Sequence, residues 1–85
     1  MSDEIKKVND EALEDVTGGR RRIVHNDSVN YANLRVSPNG QVCGRAYNGE
    51  AVYTTGNHVW KGDYNWYEVY YDGDVYWIAG SLIGY

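Results

Sequence analysis

Turn-forming pairs interrupt the second half of this chain about every eight residues: Asn39-Gly40, Asn48-Gly49, Gly56-Asn57, Gly62-Asp63, Asp72-Gly73 and Gly80-Ser81. The stretches between them are too short for ordinary helices and are rich in β-branched and aromatic residues, which suit a pleated, half-buried surface. The spacing predicts strands over Ala32–Val36, Gln41–Ala46, Ala51–Thr55, Trp66–Tyr71 and Asp74–Ile78, with a last short piece at Leu82–Ile83. Tyr71-Asp72-Gly73-Asp74 is the plainest local signal, a two-residue hairpin turn that requires positive φ. Alternation assigns faces. Val42, Gly44 and Ala46 share one side, Val52 and Thr54 another, and Val69 with Tyr67 and Tyr71 faces inward while Trp66, Glu68 and Tyr70 face out. The fold class is therefore all-β, a small barrel of about five short antiparallel strands. Its thin core needs bulky side chains, which the many tyrosines and tryptophans could supply.

The first nineteen residues belong to a different regime. All twelve aromatic side chains (nine Tyr, three Trp, no Phe) fall between Tyr31 and Tyr85. Residues 1–19 hold six acids against two lysines, whereas residues 20–85 balance six acids with six basic groups, so the whole formal charge of −4 sits in the first segment. Gly18-Gly19 followed by Arg20-Arg21-Arg22 marks the break. On a helix, Ile5, Val8, Ala12, Leu13 and Val16 share a stripe about 140° wide, with the acids opposite. About fifteen residues make a marginal helix in water, so the segment is expected to be disordered or loosely helical. It reads either as a tail or helix packed on its own domain, or as a recognition helix that folds in a receptor's groove.

The segment resembles a double-glycine leader, the type removed from bacteriocin-like precursors by peptidase-containing ABC transporters. That family carries apolar residues four, seven, twelve and fifteen positions before a cut that follows the second glycine. Counting back from Gly19 gives Val16, Leu13, Val8 and Ile5. The family often has Glu at the eighth position before the cut; this chain has Ala12, with Glu11 beside it. The resemblance implies recognition through Ile5, Val8, Leu13 and Val16 and cleavage after Gly18-Gly19. Two residues without Cβ can enter a peptidase cleft too narrow for side chains. It divides the chain into a leader (1–19) and a mature domain (20–85), cytoplasmic as the precursor and secreted once cut.

Residues 23–84 resemble the bacterial SH3 (SH3b) family. The pattern runs through Asn33-Leu34-Arg35-Val36-Ser37-Pro38, Val42-Cys43-Gly44, Gly49 with Val52 and Thr54, Trp66-Tyr67-Glu68-Val69, Asp72-Gly73, Trp77-Ile78 and Ala79-Gly80-Ser81-Leu82-Ile83. Two positions depart from it: the loop after Pro38 is short, and Tyr76 stands where the family usually has Gly. The resemblance implies an SH3-like barrel that binds ligands between the loop after the first strand, about 36–41, and the loop before the Trp strand, about 56–65. Tyr31, Trp60, Tyr64 and Trp66 are the candidate ligand-binding residues.

Little else in the chain carries chemistry. One cysteine and two histidines cannot build a structural zinc site, and no cofactor is expected. Cys43 and His58 could form a nucleophile–base pair, but Cys43 falls on an expected strand with no helix N-terminus to activate it, and the chain is read as non-enzymatic. Cys43 is either a semi-buried small side chain or an odd thiol open to intermolecular pairing. Arg20-Arg21-Arg22 reads as a solvated hinge, too small a patch on a neutral domain for nucleic acid. No apolar run reaches the roughly 18 residues of a membrane span. Twelve rings exceed what so small a core hides; those left at the surface either pack on one another or offer flat faces to a sugar ring or peptide. The expected product is a monomeric binding module for peptidoglycan or a surface protein. A bacteriocin-like antagonist or signal, and an intracellular interaction domain with a docking helix, are the alternatives.

Overall fold

The computed structural model describes residues 20–85. Six strands form one curled antiparallel sheet, a small all-β half-barrel: β1 (Arg21–Ile23), β2 (Tyr31–Arg35), β3 (Val42–Tyr47), β4 (Ala51–Lys61), β5 (Tyr64–Tyr71) and β6 (Asp74–Ala79), followed by a 3₁₀ turn over Gly80–Ile83. The sheet order is β1-β4-β5-β6-β2-β3, with every neighbouring pair antiparallel. The expected all-β class is observed. The leader signals Ile5, Val8, Leu13, Val16, Gly18 and Gly19 lie outside the described residues.

Two hairpins set the frame. Asp72 (φ 52°) and Gly73 (φ 81°) turn β5 into β6, and Gly62 (φ 60°) with Asp63 (φ 70°) turns β4 into β5. Positive φ at both central residues gives the turn hand that matches strand twist. The second hairpin departs from the expected loop at 56–65. Gly56 (φ 100°) makes a bulge, the register shifts between Thr54 and His58, and β4 then resumes as far as Lys61. Glu68 on β5 pins the bulge, accepting hydrogen bonds from Thr55 Oγ1 at 2.8 Å and Asn57 Nδ2 at 2.9 Å. A glycine-asparagine pair that reads as a turn is thus absorbed as two extra residues within a strand, four steps from Thr54 to His58 facing two from Val69 to Tyr67.

Three further details depart from the sequence reading. Arg21 and Arg22 belong to an edge strand, with Arg21 opposite Tyr53 and Ile23 opposite Ala51. Arg22 is tied rather than solvated: its Nε donates to Ile83 O at 2.9 Å, its Nη2 to Gly84 O at 3.1 Å, and its guanidinium lies 4.3 Å from the Tyr85 ring centroid. Charged residues are common on edge strands because they discourage further pairing. On β3, Leu34 pairs with Gly44 and Arg35 with Val42, so Cys43 is the bulged residue; both Cys43 and Val42 are exposed. The expected strand at Leu82–Ile83 is part of the 3₁₀ turn, which ends on Gly84 in the left-handed region.

The core is aliphatic. Val24, Ala32, Leu34, Ala46, Val52, Val69, Ile78 and Ile83 are buried together, and Tyr67, Tyr71 and Tyr76 pack around their margin. The inward placement of Ala46, Val52, Thr54 and Val69 agrees with the alternation. The rings expected to fill the core instead cover it, because a tyrosine hydroxyl is costly to bury without a partner.

At one margin, Tyr71 donates its hydroxyl proton to Glu50 Oε1 at 2.6 Å, and Glu50 also accepts from the Tyr47 amide. The bond to Tyr71 and then that to Tyr47 lower the Glu50 pKa; the carboxylate as acceptor pushes Tyr71 up to about 12. The Tyr71 contribution is therefore fully present below pH 10, its ordinary value, and is lost as pH rises towards 12. The Glu50 contribution is present above its ordinary value of 4.5 and is lost as pH falls through its lowered one. Tyr71→Phe should flatten the stability profile in both windows, as measured by urea midpoints from pH 3 to pH 11.5; an unchanged profile would refute the coupling.

Candidate functional site

The sheet's weakest seam opens a cavity. β2 and β6 share a single register pair, Arg35 opposite Trp77, and β2 then diverges from β6. The resulting space, about 140 Å³ and open to solvent, is lined by Asn26, Val29, Tyr31, Asn33, Arg35, Trp66, Ala79 and Leu82. Alternation explains the lining from β2: Ala32 and Leu34 face the core, which turns Tyr31, Asn33 and Arg35 the other way. The segment between β1 and β2 supplies the rim. Asn26 Nδ2 donates to Tyr31 O at 2.9 Å, and Asn48 clamps the same segment through the Asn26 amide and carbonyl.

Trp66 forms one wall and is 4% exposed. It lies outside the aliphatic cluster, on the face opposite Val69, as alternation predicts; its burial is due to what covers that face. Its Nε1–H donates to Lys61 O at 2.8 Å, the Tyr64 ring meets it edge-on at 5.9 Å, and the Arg35 guanidinium lies 5.3 Å from its ring centroid. Arg35 is itself held, its Nη1 donating to Gly40 O at 2.7 Å. On the adjoining strand, Arg45 stands opposite Asn33 and stacks on the Tyr31 ring at 4.1 Å.

Of the four residues singled out from the sequence, Tyr31 and Trp66 line this cavity, and Tyr64 abuts it through Trp66. Trp60 stands elsewhere. Because 56–61 is strand rather than loop, Trp60 pairs with Asn65 while Lys61 pairs with Tyr64, which puts Trp60 on the opposite face of the hairpin from Tyr64 and Trp66. The two loops expected to flank an open trough meet: a Cβ on Gly62 would stand 2.6 Å from Asn39 Nδ2. Neither Asn39 nor Gly62 lines the cavity. Asn33 and Arg35 were missed, although alternation through Tyr31–Arg35 carried the signal; Arg45 needed the cross-strand register.

The opposite face of the hairpin carries a second aromatic feature. Tyr67 stacks on Tyr85 at 4.3 Å and 11°, and His58 stacks on Tyr67 at 5.3 Å and 23°. With Arg22 beyond Tyr85, four side chains form one column. Cys43 and His58 lie on β3 and β4, with three strands between them in the sheet. Among the described residues no cluster of His, Cys, Asp and Glu could hold a metal ion, and no helix is long and apolar enough to cross a membrane. No family model, curated protein or solved structure matches the chain.

Proposed function

We propose that residues 1–19 are a double-glycine leader, removed after Gly19 by a peptidase-containing ABC transporter, and that residues 20–85 are an exported, non-enzymatic binding module of bacterial SH3 type. Its target is a cell-wall peptide or glycan, or a surface protein. The observation that carries the binding half is the cavity in which Tyr31, Trp66, Asn33 and Arg35 converge: two flat rings beside fixed polar groups. At about 140 Å³ it is smaller than the roughly 300–1,000 Å³ of small-molecule sites and suits one side chain or one sugar ring. One such contact gives weak affinity, which a repetitive polymer amplifies through avidity. The export half rests on sequence alone, on the register of Ile5, Val8, Leu13 and Val16 against Gly19.

Each half has its own test. Mass spectrometry of protein exported by the producing cell should find a chain that starts at Arg20, and Gly19→Val should stop its appearance. An exported form that retains Met1 would defeat the leader. In sacculus pelleting, the wild-type chain should sediment, while Tyr64→Ala, at a ring about half exposed, should stay folded and lose most of its retention. Undiminished retention of a folded Tyr64→Ala chain would move the site elsewhere.

A further inference from the structure

The cavity has a charge as well as a shape. Among its lining residues Arg35 is the one ionic group, and Asn26 and Asn33 add neutral amides. Neither Arg35 nor Arg45 has a carboxylate partner among the described residues. The acid next to the rim in sequence, Asp27, is paired with His25 at 2.7 Å. Glu68, on the same face of β5 as Trp66, is occupied by Thr55 and Asn57.

The arginine is also oriented. Its Nη1 is committed to Gly40 O, which fixes the guanidinium plane, and the Nε and Nη2 edge has no partner among the described residues. That edge presents two parallel N–H donors, the geometry that takes a carboxylate bidentately. Stacking on Trp66 removes part of its rotational freedom before any ligand arrives, so less is lost on binding. Arg45, stacked on Tyr31, adds positive potential on the adjoining strand.

We infer that this cavity recognises a carboxylate-terminated group, with the carboxylate on the Nε/Nη2 edge of Arg35 and the adjoining apolar or ring portion between Tyr31 and Trp66. The inference rests on the binding-module reading and narrows it: of the groups such a module could hold, it takes acidic ones, the free carboxyl end of a peptide or a sugar acid, in preference to neutral ones of the same size.

The test uses the full chain and a matched pair of probes, N-acetyl-alanyl-alanine and its C-terminal amide, followed by NMR at the Trp66 indole N–H and the Tyr31 ring. The acid should shift both signals, and the amide should need about tenfold higher concentration, the worth of one charge-assisted contact. Arg35→Gln should erase the difference between the two probes, and Arg35→Lys should keep part of it. Because Arg35→Gln also removes the bond to Gly40, the wild-type comparison decides by itself. Equal shifts with acid and amide, or shifts with neither, overturn the inference. A parallel arm pellets the chain with sacculi before and after their carboxylates are converted to amides. Equal retention on both overturns carboxylate recognition and leaves the wall-binding module standing. Retention on neither, with the soluble acid still preferred over its amide, overturns the wall target and leaves the carboxylate site standing.

Discussion

Trp66→Ala is expected to leave the domain largely unfolded at 37 °C. The substitution empties a site that is 4% exposed, strands Lys61 O without its donor, and removes the surface on which Arg35 and Tyr64 rest. Removing a buried tryptophan costs about 3–5 kcal/mol. A 66-residue domain has only about 3–10 kcal/mol of stability in total. Trp60→Ala supplies the contrast. That ring is 66% exposed, and its loss should change stability by no more than about 0.5 kcal/mol. Urea unfolding followed by circular dichroism checks both. A Trp66→Ala chain as stable as the wild type would show that the indole covers the seam without supporting it. For the same reason, lost binding in Trp66→Ala proves nothing about contact with a ligand, and the exposed Tyr64 is the better probe.

The second large effect is expected at Gly80, where the 3₁₀ turn crosses β5. A Cβ there would stand 2.7 Å from Tyr67 Cε1, 2.9 Å from its Cδ1 and 3.2 Å from Asn65 O. The ring cannot retreat freely, because it is stacked between Tyr85 and His58, and the carbonyl belongs to β5. Gly80→Val should therefore cost about 1–3 kcal/mol as overpacking. It should also change the near-ultraviolet circular dichroism of the tyrosines by breaking the column. A variant with wild-type stability and an unaltered tyrosine signal would mean that the turn moves off β5 without penalty. Gly73→Ala is a useful comparison: nothing lies within 4 Å of its Cβ position, so its cost comes only from φ 81°.

The all-β class, the Asp72-Gly73 hairpin and the inward positions of Val52, Val69 and Ala46 were legible because each depends on local chemistry or on simple alternation. The bulges were not. Gly56-Asn57 and Cys43 are extra residues only relative to a partner strand, and a partner is a long-range fact. The same limit hid β1, whose three residues become a strand through the edge of β4 rather than through their own propensity. The site was half legible. Tyr31 and Trp66 reach one cavity from positions 35 apart in sequence, although the cavity is not the trough expected between the loops at 36–41 and 56–65. Trp60 is misplaced because 56–61 reads as a loop; as strand, these residues alternate and carry Trp60 to the face opposite Tyr64 and Trp66.

The way β1 is attached has a mechanical side. Arg20 is held by two hydrogen bonds to Thr54, its amide donating to Oγ1 at 2.8 Å and its carbonyl accepting from the Thr54 amide at 2.9 Å. Arg21–Ile23 then pair with one strand only. The next residue is of another kind: Val24 is fully buried and is gripped by Glu50 O and the Gly49 amide. A pull on the chain's leading end thus meets a soft handle and then a hard stop. Four residues leave a sheet edge, with the Arg22 bonds to Ile83 O and Gly84 O the firmest hold among them, and Val24 then resists with the whole core behind it. The slack released is about 13 Å at strand spacing. That length can be given up at the edge of the sheet while β2 to β6 remain paired.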